Sequence, residues 1–236
     1  MTTIEQLRAS SLFCGMDVEL MERLATRSKT RALSAGDYAW RQGDLSNHFV
    51  IVQDGLVAIQ QNGVDGAAVV VALFGPHDAL CIGSALQRTS YPADAVAMTD
   101  EATVIMVDAE PVLDALRQDP RLAASINCAL LAHTMLLRSK IEIVSAGTVP
   151  RRIAELLLHL AGRFGLASDS QEVHINPSLT REQIGRLVNA RTETVIRIMS
   201  RWVKAGWIHG NAPTLIIRRI DMLKRIAHGA VGIRGK

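Results

Sequence analysis

At 236 residues, 48% of them apolar, the chain is long enough for one large or two small domains and too apolar to be disordered. Its net charge of +3 hides an asymmetry. From Arg151 onward there are 15 Lys and Arg against 6 Asp and Glu, net +9, while the first 150 residues carry 11 against 17, net −6. A basic C-terminal third is the footprint of a polyanion-binding module. Three scattered cysteines, Cys14, Cys81 and Cys128, exclude a disulfide framework or a structural zinc site and suit a reducing cytoplasm. The opening MTTIEQLRAS has no signal-peptide pattern, and the longest purely apolar run, Ala67 to Phe74, is far short of the roughly 20 residues of a membrane span. A cytoplasmic protein without a membrane partner is expected.

Residues 4–29 read as short helices, with Leu20, Leu24 and Ala25 at helical spacing. From about 30 to 108, short apolar stretches alternate with glycine punctuation (Gly36, Gly43, Gly55, Gly63, Gly66, Gly75), which predicts an all-β barrel or sandwich. Within it, Phe49–Val52 and Leu56–Ile59 read as two strands joined at the tight turn Asp54-Gly55. Asp119-Pro120 is a helix start, and no glycine or proline follows until beyond Val144. Ile126, Leu130, His133, Leu137 and Val144 fall on an approximate heptad seam, for which a second copy of the chain is the simplest partner and packing on the chain's own β-domain the alternative. Gly147 to Pro150 reads as a linker. The boundaries expected are therefore 1–118, 119–146 and 147–236.

A helix from about Arg151 to Phe164 carries Ile153, Leu156, Leu157 and Leu160 on one face. Thr180 with Gln183 is a capping-box pattern, so a helix starts there; Asn189-Ala190-Arg191 is a turn, and Thr192 to about Ala205 a second helix closed by Gly206. Two short helices on such a turn make a helix-turn-helix, and Trp207–His209 with Thr214–Ile217 read as a hairpin wing. On the second helix Glu193 and Arg197 share a face. Arg can donate twice to guanine O6 and N7, Glu can accept from cytosine N4, and Glu193 can also hold the Arg197 guanidinium in position. Thr192 lies at the same helix end. Thr180, Arg181, Arg186, Arg191, Arg201 and Lys204 are the expected phosphate contacts, which fix register without reading bases.

Residues 12–220 resemble the cyclic-AMP receptor and fumarate-nitrate regulator (CRP/FNR) family. The most specific matches are Thr180-Arg181-Glu182-Gln183-Ile184-Gly185 and Glu193-Thr194-Val195-Ile196-Arg197-Ile198, with Gly36-Asp37, Gly43-Asp44 and Phe49–Val52 before Gly55 in the β region. The resemblance implies an α+β fold: a double-stranded β-roll (jelly-roll) sensor, a long dimerisation helix and a C-terminal winged helix-turn-helix. It also implies a homodimeric transcription regulator that binds palindromic double-stranded DNA, acts with RNA polymerase and answers to a small-molecule or gas effector. Thr192 stands where the cyclic-AMP receptor branch has an arginine, which places the chain closer to the FNR and nitric-oxide-regulator branch and a TTGAT-like half-site; Ile196 stands where that branch often has serine.

Nucleotide-binding members hold the ribose and cyclic phosphate with Gly-Glu-Leu and Arg-Ser-Ala segments. Here the corresponding stretch runs Leu80 to Leu86 and ends near Pro92-Ala93-Asp94, without the glutamate or the arginine, and Asp94 would repel a phosphate. The polar pair that meets adenine becomes Leu137-Arg138. Cyclic AMP is therefore disfavoured, and three scattered cysteines fail an iron-sulfur cluster. Haem stays open, because Cys81 falls near a haem-ligating cysteine of the carbon-monoxide-sensing branch and His48, His77 and His133 offer imidazoles. The candidate effector pocket is Cys81, Gly83, Ser84, Leu137 and Arg138. A protein-interaction module without specific DNA binding is the alternative. No P-loop, GxSxG or HExxH motif points to an enzyme.

Overall fold

The computed structural model describes residues 3–62, 68–167, 172–176, 179–211 and 214–229. Two compact units divide on one long helix, between Leu137 and Arg138.

The first unit opens with α1 (Thr3–Ala9) and α2 (Val18–Thr26), the latter capped by the Asp17 carboxylate, which accepts from the Leu20 N–H at 2.8 Å. Then come β1 (Ser28–Leu33), β2 (Tyr38–Trp40), β3 (His48–Asp54), β4 (Val57–Asn62), β5 (Ala68–Phe74) and β6 (Ala79–Leu80), the short α3 (Ile82–Gln87), β7 (Asp94–Ala97), β8 (Ala102–Asp108) and α4 (Ala109–Leu116). The strands form two four-stranded sheets, ordered β1-β8-β3-β6 and β2-β7-β4-β5. The apolar run of β3 is explained by burial on both faces. Phe49 and Ile51 pack outward under α1, α2 and α4, while Val50 and Val52 point between the sheets, the two-residue period of a strand.

The Asp54-Gly55 turn does not make a hairpin. β3 and β4 lie in different sheets, so the turn carries the chain across the sandwich. Gly55 is needed there: its φ is +74°, and a Cβ would stand 2.7 Å from both the Ala102 Cα and the Thr99 hydroxyl.

The long helix α5 (Pro120–Ser145) starts at Asp119, whose carboxylate accepts from the Arg121 N–H at 2.9 Å. Among the described residues it is the one helix long and apolar enough to cross a membrane, which no single apolar run in the sequence suggested. Its inward face, Leu122, Ile126 and Ala129, with Leu130 beside them, is packed into the first unit's core. The predicted seam needs correction on that account. Ile126 and Leu130 serve the chain's own core, and His133 meets the Phe74 ring edge-on while its Nε2 bonds the Ala79 carbonyl. The apolar side chains that α5 leaves exposed are Leu131 (66%), Met135 (59%), Leu137 (44%) and Ile141 (63%). Heptad counting finds both faces of such a helix and does not say which one its own domain takes.

The second unit holds α6 (Val149–Phe164), β9 (Gly165–Ala167), β10 (Val173–Ile175), α7 (Arg181–Val188), α8 (Thr192–Lys204), β11 (Ile208–Asn211), β12 (Thr214–Ile217) and α9 (Ile220–Ala227). α6 begins two residues before the predicted start, so Val149 and Pro150 lie in its first turn rather than in a linker; proline is at home there because its missing N–H has no helical partner to lose. Its buried stripe, Ile153, Ala154, Leu156, Leu157 and Leu160, anchors the unit, and α9 packs on it. The sheet runs β11-β12-β10-β9, so the predicted wing is the outer half of a larger sheet. The tip of the wing, Ala212-Pro213, lies outside the described residues.

Candidate nucleic-acid interface

The predicted capping box closes the start of α7. The Thr180 hydroxyl accepts from the Gln183 N–H at 3.2 Å, and Gln183 Oε1 accepts from the Thr180 N–H at 2.8 Å. Asn189 ends the helix in the left-handed region, at φ 50°. The following turn approaches so closely that a Cβ on Gly185 would stand 2.9 Å from the Ala190 carbonyl oxygen. Sequence-adjacent glycine, asparagine and a small alanine therefore set how α8 leaves α7.

Val195, Ile198, Met199 and Trp202 bury one stripe of α8. That fixes the opposite face as exposed: Arg191, Glu193, Ile196, Arg197, Ser200, Arg201 and Lys204. Thr192, the first residue of the helix, is half-buried. Glu193 and Arg197 are one turn apart and make no ion pair with each other within 4.0 Å, so the expected buttressing of Arg197 by Glu193 is not formed. Both side chains are left with their hydrogen-bonding capacity directed to solvent, as base readout requires. An apolar groove lined by Val149, Pro150, Trp202 and Trp207 runs beside Arg197 and Arg201.

The expected phosphate contacts divide. Arg191, Arg201 and Lys204 are exposed, and Arg186 is exposed but paired with Glu182 at 2.6 Å. Arg181 departs from the expectation. Its guanidinium turns inward to the Met199 sulfur (3.1 Å) and the Gly210 carbonyl (3.3 Å), bracing α7 against α8 and the wing, and burial lowers its pKa. On the wing sheet Arg218 pairs with Glu172 at 3.1 Å.

Two cations that the sequence did not single out converge on the helix-turn-helix. Arg152 Nη1 of α6 donates to the carbonyls of Val188 (2.6 Å) and Asn189 (3.1 Å), and Lys140 Nζ of α5 donates to that of Leu187. Nothing in their spacing marks either residue; only the fold carries them to one helix end.

In the first unit, Cys81, Gly83 and Ser84 lie at the start of α3 and are partly buried. Cys81 has φ 47°, an unusual left-handed value for a non-glycine residue, and burial pushes its thiol up to about 12. Leu137 is exposed at the unit boundary, and Arg138 pairs with Glu142 at 2.9 Å along α5. The space between the sheets is filled by apolar side chains. Trp40 stacks on Tyr91 with ring centroids 4.2 Å apart and donates its indole N–H to the Ala93 carbonyl at 2.9 Å. The buried polar residues of the described chain are Ser10, Ser46, Gln60 and Thr99, none of them charged. The Asp94 carboxylate accepts from the Gln42 N–H at 2.7 Å. Among the described residues no group of three His, Cys, Asp or Glu side chains is placed to hold a metal ion.

Comparison with known proteins agrees with both halves. A cyclic nucleotide-binding domain matches residues 30–119, and a Crp-like helix-turn-helix domain matches residues 151–226. A "CRP-like cAMP-activated global transcriptional regulator" of Mycobacterium tuberculosis is 23% identical over 94% of this chain and 99% of its own length. "Transcriptional activator protein Anr" of Pseudomonas protegens is 23% identical over 91% of this chain and 86% of its own. FixK2 of Bradyrhizobium japonicum shares the fold, with a TM-score of 0.73 at 18% identity over 84% of this chain and 96% of that one. With a cyclic-nucleotide-type β-roll, a long helix and a helix-turn-helix whose polar face is open to solvent, the chain belongs to the CRP/FNR family of DNA-binding transcription regulators and is not an enzyme.

Proposed function

We propose that this regulator binds a palindromic operator as a homodimer, reads each half-site with Glu193, Arg197 and Thr192, and is controlled by an effector other than cyclic AMP. The observation that carries the readout is the exposed, unpaired Glu193 and Arg197 on the helix that follows the turn. A TTGAT-like half-site suits a glutamate and arginine preceded by a threonine, which cannot make an arginine's bidentate guanine contact. The dimer rests on Leu131, Met135 and Ile141, an exposed apolar stripe that a second α5 would cover. On the DNA, two recognition helices would then serve half-sites about one turn apart, roughly 34 Å. RNA polymerase is the expected partner, in the cytoplasm.

The effector reading rests on what lines the β-roll. A cyclic phosphate needs a cation or a ring of N–H donors, whereas the segment Pro92-Ala93-Asp94 offers a carboxylate already bonded to the Gln42 N–H. Haem fares no better: apolar side chains, with Phe74 edge-on to His133, fill the space between the sheets. A small, largely apolar molecule or a gas fits the aromatic interior better.

A fluorescent duplex carrying TTGAT…ATCAA, titrated against a scrambled duplex across a salt series with and without cyclic AMP, tests this. Specific binding indifferent to cyclic AMP is expected. A large gain in affinity on adding cyclic AMP would overturn the effector reading, and no preference over scrambled DNA would overturn the half-site.

A further inference from the structure

We infer that Lys140 and Arg152 are positioning residues for base readout: together they clamp the C-terminal carbonyls of α7 and so set the turn from which the recognition helix starts. The inference rests on the proposed readout by Glu193 and Arg197.

The last four carbonyls of a helix have no partner within it, and they carry the negative end of its dipole. At the end of α7 the backbone answers part of this need: the N–H groups of Asn189 and Ala190 both point to the Gly185 carbonyl. The carbonyls of Leu187, Val188 and Asn189, three in a row leading into the turn, instead take their donors from Lys140 and Arg152. Neither cation pairs with a carboxylate within 4.0 Å among the described residues. A partly buried ammonium without a counter-ion is costly, so its place on a carbonyl is a commitment of the fold rather than a solvated accident. Burial indeed lowers the Lys140 pKa to about 8. Arg152 is held through its Nη1 bonds to the Val188 and Asn189 carbonyls, although its Nε is buried without a partner.

The consequence falls on α8. It begins three residues after Asn189, and Arg197 lies a turn and a half along it. A bidentate contact to guanine fails once its hydrogen bonds lengthen beyond about 3.5 Å, so a shift of under an ångström at the turn matters. Lys140 has a second significance. It sits on α5, the helix whose earlier turns belong to the β-roll unit, so the turn is tied to the segment of chain that leaves the sensor.

The test compares affinities for the duplex that the wild type selects from a randomised pool with those for a scrambled duplex. Lys140→Met should reduce the specific-over-scrambled ratio about tenfold, the scale of one charge-assisted hydrogen bond, with scrambled binding unchanged. Lys140→Arg, which can still donate, should restore the ratio to within about twofold. Should Lys140→Met fail to fold, Arg152→Gln carries the test: it removes the charged Nη1 that donates to both the Val188 and the Asn189 carbonyls, and a loss of about threefold is expected. A ratio left unchanged by these variants while Arg197→Ala abolishes it would overturn the clamp alone. If Arg197→Ala also leaves the ratio unchanged, the base readout itself falls, and the clamp with it.

Discussion

Between the sheets of the β-roll, Trp40, Tyr91, Phe74 and Val52 are packed against one another with hardly a polar atom, whereas the outer face of α8 presents Glu193, Arg197, Arg201 and Lys204 to solvent. The first region is closed by apolar packing, apart from the buried hydroxyls of Ser46 and Tyr91. The second region is left open, and its helix is held in place from behind by Val195, Met199, Trp202 and the inward-turned Arg181. A ligand in the β-roll must therefore compete with apolar contacts already made, while a ligand on α8 completes hydrogen bonds not yet made. The two regions respond to substitution in different currencies: stability in the first, specificity in the second.

The largest effect is expected where packing is densest. Trp40 is 5% exposed, so Trp40→Ala should lower unfolding stability by about 3–5 kcal/mol, read from urea denaturation, without changing which duplex is preferred. A cost under about 1 kcal/mol would mean that the interior is slack enough to hold a sizeable ligand, and would break the comparison at its first term.

How much of this was legible beforehand follows the same divide. The helix-turn-helix is written locally: Thr180 and Gln183 three apart, Asn189 at the turn and a stripe of Val195, Ile198, Met199 and Trp202 are all read within one window. The β-roll is not. Asp54-Gly55 announces a turn but cannot say that β3 and β4 go to different sheets, because pairing is decided by the distant strands β7 and β8. β9 and β10, three residues each, are too short to show alternation, and α9 follows the wing with no capping side chain to mark its start. The candidate site was missed where it depends on distant convergence, as at Lys140 and Arg152, and where a side chain chose an interior partner, as Arg181 did.

Arg197→Ala comes next in size. Loss of a bidentate base contact is expected to cost about 1–3 kcal/mol on the preferred duplex and little on scrambled DNA. Arg201→Ala supplies the contrast, since a phosphate contact should weaken all duplexes alike and reduce the salt slope by about one. Equal losses on both duplexes for Arg197→Ala would reassign it to the backbone.

The smallest effect concerns pH, and it separates the two currencies at one residue. The Lys140 ammonium is held at about 8 in the fold against an ordinary value of 10.5. Between those values the unfolded chain binds more protons at this site, so its contribution to stability grows as pH rises from 8 to 10.5 and is lost as pH falls through 8. The clamp has the opposite sense, because above pH 8 the donor to the Leu187 carbonyl loses its charge and with it the stronger form of the hydrogen bond. Around it, Arg138 and Glu142 of α5 are paired with each other, as are Glu182 and Arg186 of α7. On α6, His159 is pushed below 6.5, chiefly by burial and then by Arg163, against an opposing pull from Glu142, and so is already neutral in this window. Raising the pH from 7 to 9 should therefore reduce the specific-over-scrambled ratio about two- to threefold in the wild type, the scale of a weakened hydrogen bond, and not in Lys140→Arg. Stability measured alongside should not fall through this residue. A decline in the ratio that Lys140→Arg shares would place the titrating group elsewhere and leave α7 held by Arg152 alone.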